Sequence, residues 1–125
     1  MADGLYEIES IAGSGAHAVV CVARVRGRGE RVALKVLRPR YANDAAIVAR
    51  FTDEARMLLP VHHPDVIRVY RLFDYGGRHV IEMERVEGAS VEAVLAEYPD
   101  GLPSAEALEL CRRAALALHA LYAGP

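Results

Sequence analysis

The stretch IAGSGAHAVVCVARV, residues 11–25, sets two glycines, Gly13 and Gly15, in a short break and then runs straight into an apolar segment. A Gly-x-Gly element that opens a helix belongs to a dinucleotide-binding unit. Here residues 18–25 are valine-rich and read as a strand. That argues against a strand–turn–helix unit and leaves a hairpin between two strands. Such a hairpin is either a plain turn or a backbone cover for phosphates, since absent side chains let amide groups approach the oxygens. The second use demands a cation nearby.

Moving outward, GRGE (27–30) turns the chain into RVALKVL (31–37), a strand with Lys35 at its centre and Ala33 two residues earlier on the same face. A lysine in an apolar strand is costly to bury unpaired, so it calls for an anion from the protein or from a ligand. In the next segment Asn43 or Asp44 can cap a helix, and Ile47, Phe51, Ala55 and Leu58 recur at helical spacing to about residue 59. Glu54 borders that apolar face and is the natural partner of Lys35, which it would hold extended toward phosphates. HHPDVIRVYRLFDY supplies a fourth strand, Gly76 and Gly77 turn it, and RHVIEMERV is the fifth. SVEAVLAEY then reads as a short amphipathic helix. Ser104 is suited to N-cap a longer helix reaching Tyr122, with Leu108, Cys111, Ala115, Leu118 and Tyr122 along one face and Leu110, Ala114, Ala117 and Leu121 beside it. The expected fold class is α+β: a five-stranded antiparallel sheet with one helix inserted after strand 3, followed by a short and a longer helix.

Composition narrows the function. At 125 residues the chain is about one domain, and fifteen Lys and Arg against seventeen Asp and Glu leave a net charge of −2. No global field favours nucleic acid or an anionic membrane. Arg24, Arg26, Arg28 and Arg31 read as a solvated hairpin face. No apolar run approaches the roughly twenty residues of a membrane span, and the N-terminus lacks a charged region followed by an apolar one, so the chain reads as soluble and cytoplasmic. Cys21 and Cys111 read as buried structural thiols, not as a disulfide or metal site. His62 and His63 have no acidic or cysteine companions at ligand spacing and fit a turn before Pro64; His17 reads as a solvated hairpin tip.

Taken in order, these motifs resemble the N-terminal, nucleotide-binding lobe of a bacterial, eukaryotic-like serine/threonine protein kinase. The Gly-x-Gly-x-x-Gly-x-Val pattern of that family falls on Gly13, Gly15, Ala18 and Val20; VALK matches its lysine strand, FTDEARML its glutamate helix, HHPDVIRVY its His-Pro-Asn segment, and IEMERVEGASVEAVL its hinge and following helix. The resemblance implies a kinase N-lobe over residues 1–86, and over 87–125 the hinge-following helix and the first long helix of a C-terminal lobe. It implies ATP as ligand, with Mg²⁺ in the complete enzyme. The phosphates would lie under Gly13, Ser14, Gly15 and Ala18, and Lys35, held by Glu54, would contact the α- and β-phosphates. Val20 and Ala33 would pack on the adenine, with Met83 behind it as gatekeeper, while the Glu84 carbonyl and Val86 amide would bond the base edge. Val20, Ala33 and Met83 would be apolar on any sheet, whereas an ion pair such as Lys35 with Glu54 is a weak stabiliser and points to function.

The departures are as telling. Ala18 stands at the third glycine position, His17 replaces the aromatic at the loop tip, Ala12 replaces a bulky aliphatic, and Glu82 sits where an apolar residue is usual. The chain stops at LYAGP, before the His-Arg-Asp loop and Asp-Phe-Gly segment that the family uses for the catalytic base and the metal. No residue is therefore assigned as catalytic or metal-binding, and these residues alone are expected to be inactive. Beside this reading stand a non-catalytic interaction module and a small-molecule phosphotransferase of related fold, the latter a poorer match to HHPDVIRVY and MERVEGASVEAVL. For the interaction module, the 104–122 helix is expected to pair with another copy, or to fold back on the sheet, in place of a C-terminal lobe. The remaining partner in a complete enzyme would be a protein substrate.

Overall fold

A computed structural model describes residues 4–123. Five strands, β1 (Tyr6–Ser14), β2 (Ala18–Val25), β3 (Arg31–Leu37), β4 (Val69–Tyr75) and β5 (Arg78–Met83), form one antiparallel sheet in the order β1-β2-β3-β5-β4. Helix α1 (Ala45–Leu58) is inserted after β3, and α2 (Val91–Leu95) and α3 (Ser104–Ala123) follow β5. This is the expected α+β architecture. Between β4 and β5, Gly76 and Gly77 have φ of 59° and 79°, which a two-residue hairpin turn favours.

Strand β1 runs further than its sequence suggests. It continues through Gly13 to Ser14, with Gly13 opposite Val20, so that residues 15–17 alone make the turn. Register shifts flank Glu9 and Ala12, and these bulges add twist to the hairpin. The Glu9 carboxylate accepts from Arg24 Nη2 at 3.1 Å and Arg31 Nε at 2.7 Å, the latter bond chiefly holding its pKa below the usual carboxylate range. Two arginines of the basic cluster are thus spent on β1.

Alternation along the strands sorts the core into two faces. On the inner face Ala18, Leu37, Val69 and Ile81 pack with Phe51 and Ala55 of α1. Asp44 caps that helix, accepting from the Ala46 and Ile47 amides, and so sets where it starts. On the outer face Tyr6, Ala23, Val25, Val32, Leu34 and Val80 form a second cluster. Tyr6 lies there, 1 % exposed, and donates its hydroxyl to Glu82, while Arg71 reaches Glu82 Oε1 at 2.9 Å and the Tyr6 hydroxyl at 2.6 Å. The unexpected strand carboxylate is thereby buried beside Tyr6 and neutralised by Arg71, whose own side chain stays exposed.

The last helix departs from expectation. The Ala107 amide donates to the Pro103 carbonyl, placing Pro103 in the cap position and Ser104 as the first helical residue. Arg113 pairs with Asp65, tying α3 to the segment before β4. The helix buries Ala117, whereas Leu108, Leu118 and Tyr122 are exposed and Cys111 with them. The helix therefore does not fold its large apolar stripe back on the sheet, and Cys111 is not a buried thiol. Cys21 is half-buried, and burial raises the pKa of its thiol. Both cysteines are free.

Candidate functional site

Lys35 leaves the centre of β3 on the inner face because it pairs in register with Val20 on one side and Ile81 on the other. Its Nζ donates to Glu54 Oε1 at 2.9 Å and lies 6.0 Å from the centroid of the Phe51 ring. The pair is formed in a part-exposed setting, Lys35 at 26 % and Glu54 at 50 % side-chain exposure, where an ion pair adds little stability. Glu54 reaches the lysine because Phe51 and Ala55 anchor α1 against the sheet.

Two cavities meet at this pair. One, of about 340 Å³, lies under the hairpin tip and is lined by Gly15, Ala18, Val20, Lys35 and Glu54, with Arg50 among the residues that close it. The other, of about 190 Å³, lies behind the pair and is lined by Val20, Lys35, Glu54, Val69, Ile81 and Met83. Ala33 and Met83 are register neighbours on the same face, one pair further along the sheet from Lys35. Beyond β5 the Glu84 amide donates to the Arg68 carbonyl at 2.8 Å. Among the described residues, the Glu84 carbonyl and the amide of the exposed Val86 have no protein partner.

The glycines of the hairpin are notable for what does not require them. Neither Gly13 nor Gly15 has positive φ, and a Cβ added at Gly13 would meet nothing within 4 Å. Turn geometry accounts for Gly27, Gly29, Gly76 and Gly77, but not for these two. The Ser14 hydroxyl is taken by Arg38 at 2.7 Å instead of facing Lys35. His17 is exposed and rests edge-on against Tyr41, 4.8 Å between centroids. His63 Nδ1 accepts from the Asp65 amide at 3.0 Å, a local turn. No group of three or more metal-ligating side chains exists among the described residues, and no described helix is long and apolar enough to cross a membrane.

No motif marks Arg38 or Arg50, which also border the site. Arg50 lies one helical turn before Glu54 and so shares its face, a spacing legible along the helix. Arg38 follows the end of β3, where no pattern points back to the hairpin.

Comparison with known proteins agrees with this fold. The model of the protein kinase domain matches residues 6–124. The serine/threonine-protein kinase pkn2 of Myxococcus xanthus is 34 % identical over 120 residues, covering 96 % of this chain and 14 % of that protein. The serine/threonine-protein kinase PkaA of Streptomyces coelicolor is 39 % identical over 87 residues, covering 69 % of this chain and 16 % of that protein. The crystal structure of the Mycobacterium tuberculosis PknI kinase domain superposes with a TM-score of 0.76 at 27 % identity, covering 94 % of this chain and 48 % of that one. The chain thus spans about half of a solved kinase domain and a smaller share of the curated relatives. On a domain match that takes in nearly every residue, with the sheet and inserted helix of a kinase N-lobe, the chain belongs to the protein kinase domain family and is related to bacterial serine/threonine kinases.

Proposed function

We propose that these residues are the ATP-binding portion of a serine/threonine protein kinase. The observation that carries the reading is the Lys35–Glu54 contact of 2.9 Å directly beneath a hairpin whose two glycines no turn requires. A lysine held extended by a carboxylate, under backbone amides with no side chains in the way, suits a chain of phosphates. Gly13, Ser14, Gly15 and Ala18 cover the phosphates with their backbone, and Lys35 meets the α- and β-phosphates while Glu54 keeps it in place. Val20 and Ala33 pack on the adenine, Met83 lies behind it, and the Glu84 carbonyl and Val86 amide bond its edge. In the complete enzyme Mg²⁺ accompanies ATP and the γ-phosphoryl group goes to a protein Ser or Thr. These 125 residues include no His-Arg-Asp loop, and the described ones no cluster of metal ligands, so by themselves they bind ATP weakly and transfer nothing.

Titration calorimetry with Mg-ATP tests the reading. The wild-type chain is expected to bind, and Lys35→Met to lose about tenfold or more in affinity, the loss of a charge-assisted phosphate contact. Equal affinity of the two would overturn it.

A second reading, self-association of an interaction module through α3, is favoured by the exposure of Leu108, Leu118 and Tyr122 on one helix. Sedimentation velocity decides it: association with rising concentration that Leu108→Gln/Leu118→Gln removes supports it, and a monomer at every concentration ends it.

A further inference from the structure

Arg38 follows directly on β3 and is half-buried. Its Nη2 donates to Ser14 Oγ at 2.7 Å and to the Gly15 carbonyl at 3.0 Å, and its Nε donates to the same carbonyl at 3.3 Å. The Arg38 backbone amide donates to the His17 carbonyl at 2.8 Å. One residue therefore holds both shoulders of the hairpin tip, spending its fork on a carbonyl and a hydroxyl.

The orientation of the Gly15–Ala16 peptide follows. All described peptide bonds are trans, so a carbonyl and the next N–H point to opposite sides of the chain. Arg38 belongs to the outer face, where it lines a groove with Ile11, Val19 and Cys21, while Ala16 lines the inner cleft with Lys35. The Ala16 N–H makes no hydrogen bond within the described residues. We infer that Arg38 is a positioning residue: by holding the Gly15 carbonyl outward it aims the unbonded Ala16 N–H into the Lys35 cleft, pre-ordering the hairpin as a phosphate cover. The inference rests on the ATP-binding reading for its ligand, but not for its geometry. A pre-ordered donor binds phosphate more tightly because less ordering remains to be done on binding. It does nothing for adenosine, which has no phosphate to meet it.

That asymmetry is the test, made on the 125-residue chain. Calorimetry with Mg-ATP and with adenosine is expected to show Arg38→Met weakening ATP about tenfold and adenosine by less than about twofold. Arg38→Lys falls between, since a single ammonium lacks the planar fork. Without ligand, ¹⁵N order parameters at residues 15–17 are expected to fall in Arg38→Met. Equal loss of ATP and adenosine affinity, or unchanged order parameters, would overturn the inference and leave Arg38 a structural contact. Should Arg38→Met fail to fold, Arg38→Gln, which keeps one donor but cannot span both acceptors, carries the same measurements. If wild type and Lys35→Met bind ATP alike, the ATP-binding reading fails, and the order parameters still decide whether Arg38 holds the hairpin.

Discussion

Tyr6 reaches across the outer face of the sheet to Glu82, and burial there, followed by that hydrogen bond, pushes its pKa up to about 12 from 10.0. Because the folded value is the higher, the stabilisation it reflects is complete below pH 10 and is lost as pH rises toward 12. At about 1.4 kcal/mol per unit, the loss is at most about 3 kcal/mol. Urea denaturation followed against pH should show wild-type stability falling over that range more steeply than Tyr6→Phe, and parallel curves would refute the assignment. Glu82 is legible in the sequence as an anomaly in an apolar strand; its partners are not. Tyr6 lies 76 residues away and Arg71 on another strand, and the three meet because the order β1-β2-β3-β5-β4 places them on one face. Lys35 and Glu54 are easier to read, since a lysine in an apolar strand announces a missing anion and the nearest helix offers one beside its buried face.

At the scale of elements, α1 decides whether Glu54 meets Lys35, and two features hold it. The Asp44 cap satisfies two amides that would otherwise be unbonded, so Asp44→Ala should lower stability by about 1 kcal/mol in urea denaturation. Phe51, 6 % exposed, anchors the helix to the sheet, and Phe51→Ala should cost about 3–5 kcal/mol by the same measurement. A loss under about 1 kcal/mol for Phe51→Ala would mean that α1 is held by something else. Both features are written in the helix itself, a capping residue ahead of an apolar repeat, and are legible for that reason. The same kind of pattern in α3 calls for a covering surface that these residues do not themselves supply. Its broad stripe implies burial, yet the side that touches the rest of the chain carries Ala117 while Leu108 and Tyr122 stay exposed. Periodicity tells which residues share a face, but not whether any surface exists to cover it.

Across the whole molecule, one sheet separates two roles, the inner face presenting Lys35 to α1 and the outer face carrying Arg38 and the Tyr6 network. The twisted β1–β2 hairpin joins them, since its tip covers the inner cleft while its carbonyl is held from outside. Proteolysis should report this junction: Arg38→Met is expected to speed cleavage at residues 15–17 several-fold while cleavage elsewhere is unchanged, and an unaltered pattern would count against it. Strand and helix order, the glycine hairpin, the lysine and its glutamate are legible in the residues alone, because each depends on local propensity, alternation or the cost of an unpaired charge. It takes the folded arrangement to show that the Lys35–Glu54 contact forms, that the buried Glu82 meets Tyr6 and Arg71, and that Arg38 grips the hairpin. Those outcomes depend on which distant strands become neighbours and which faces find cover, and no local pattern of residues encodes either.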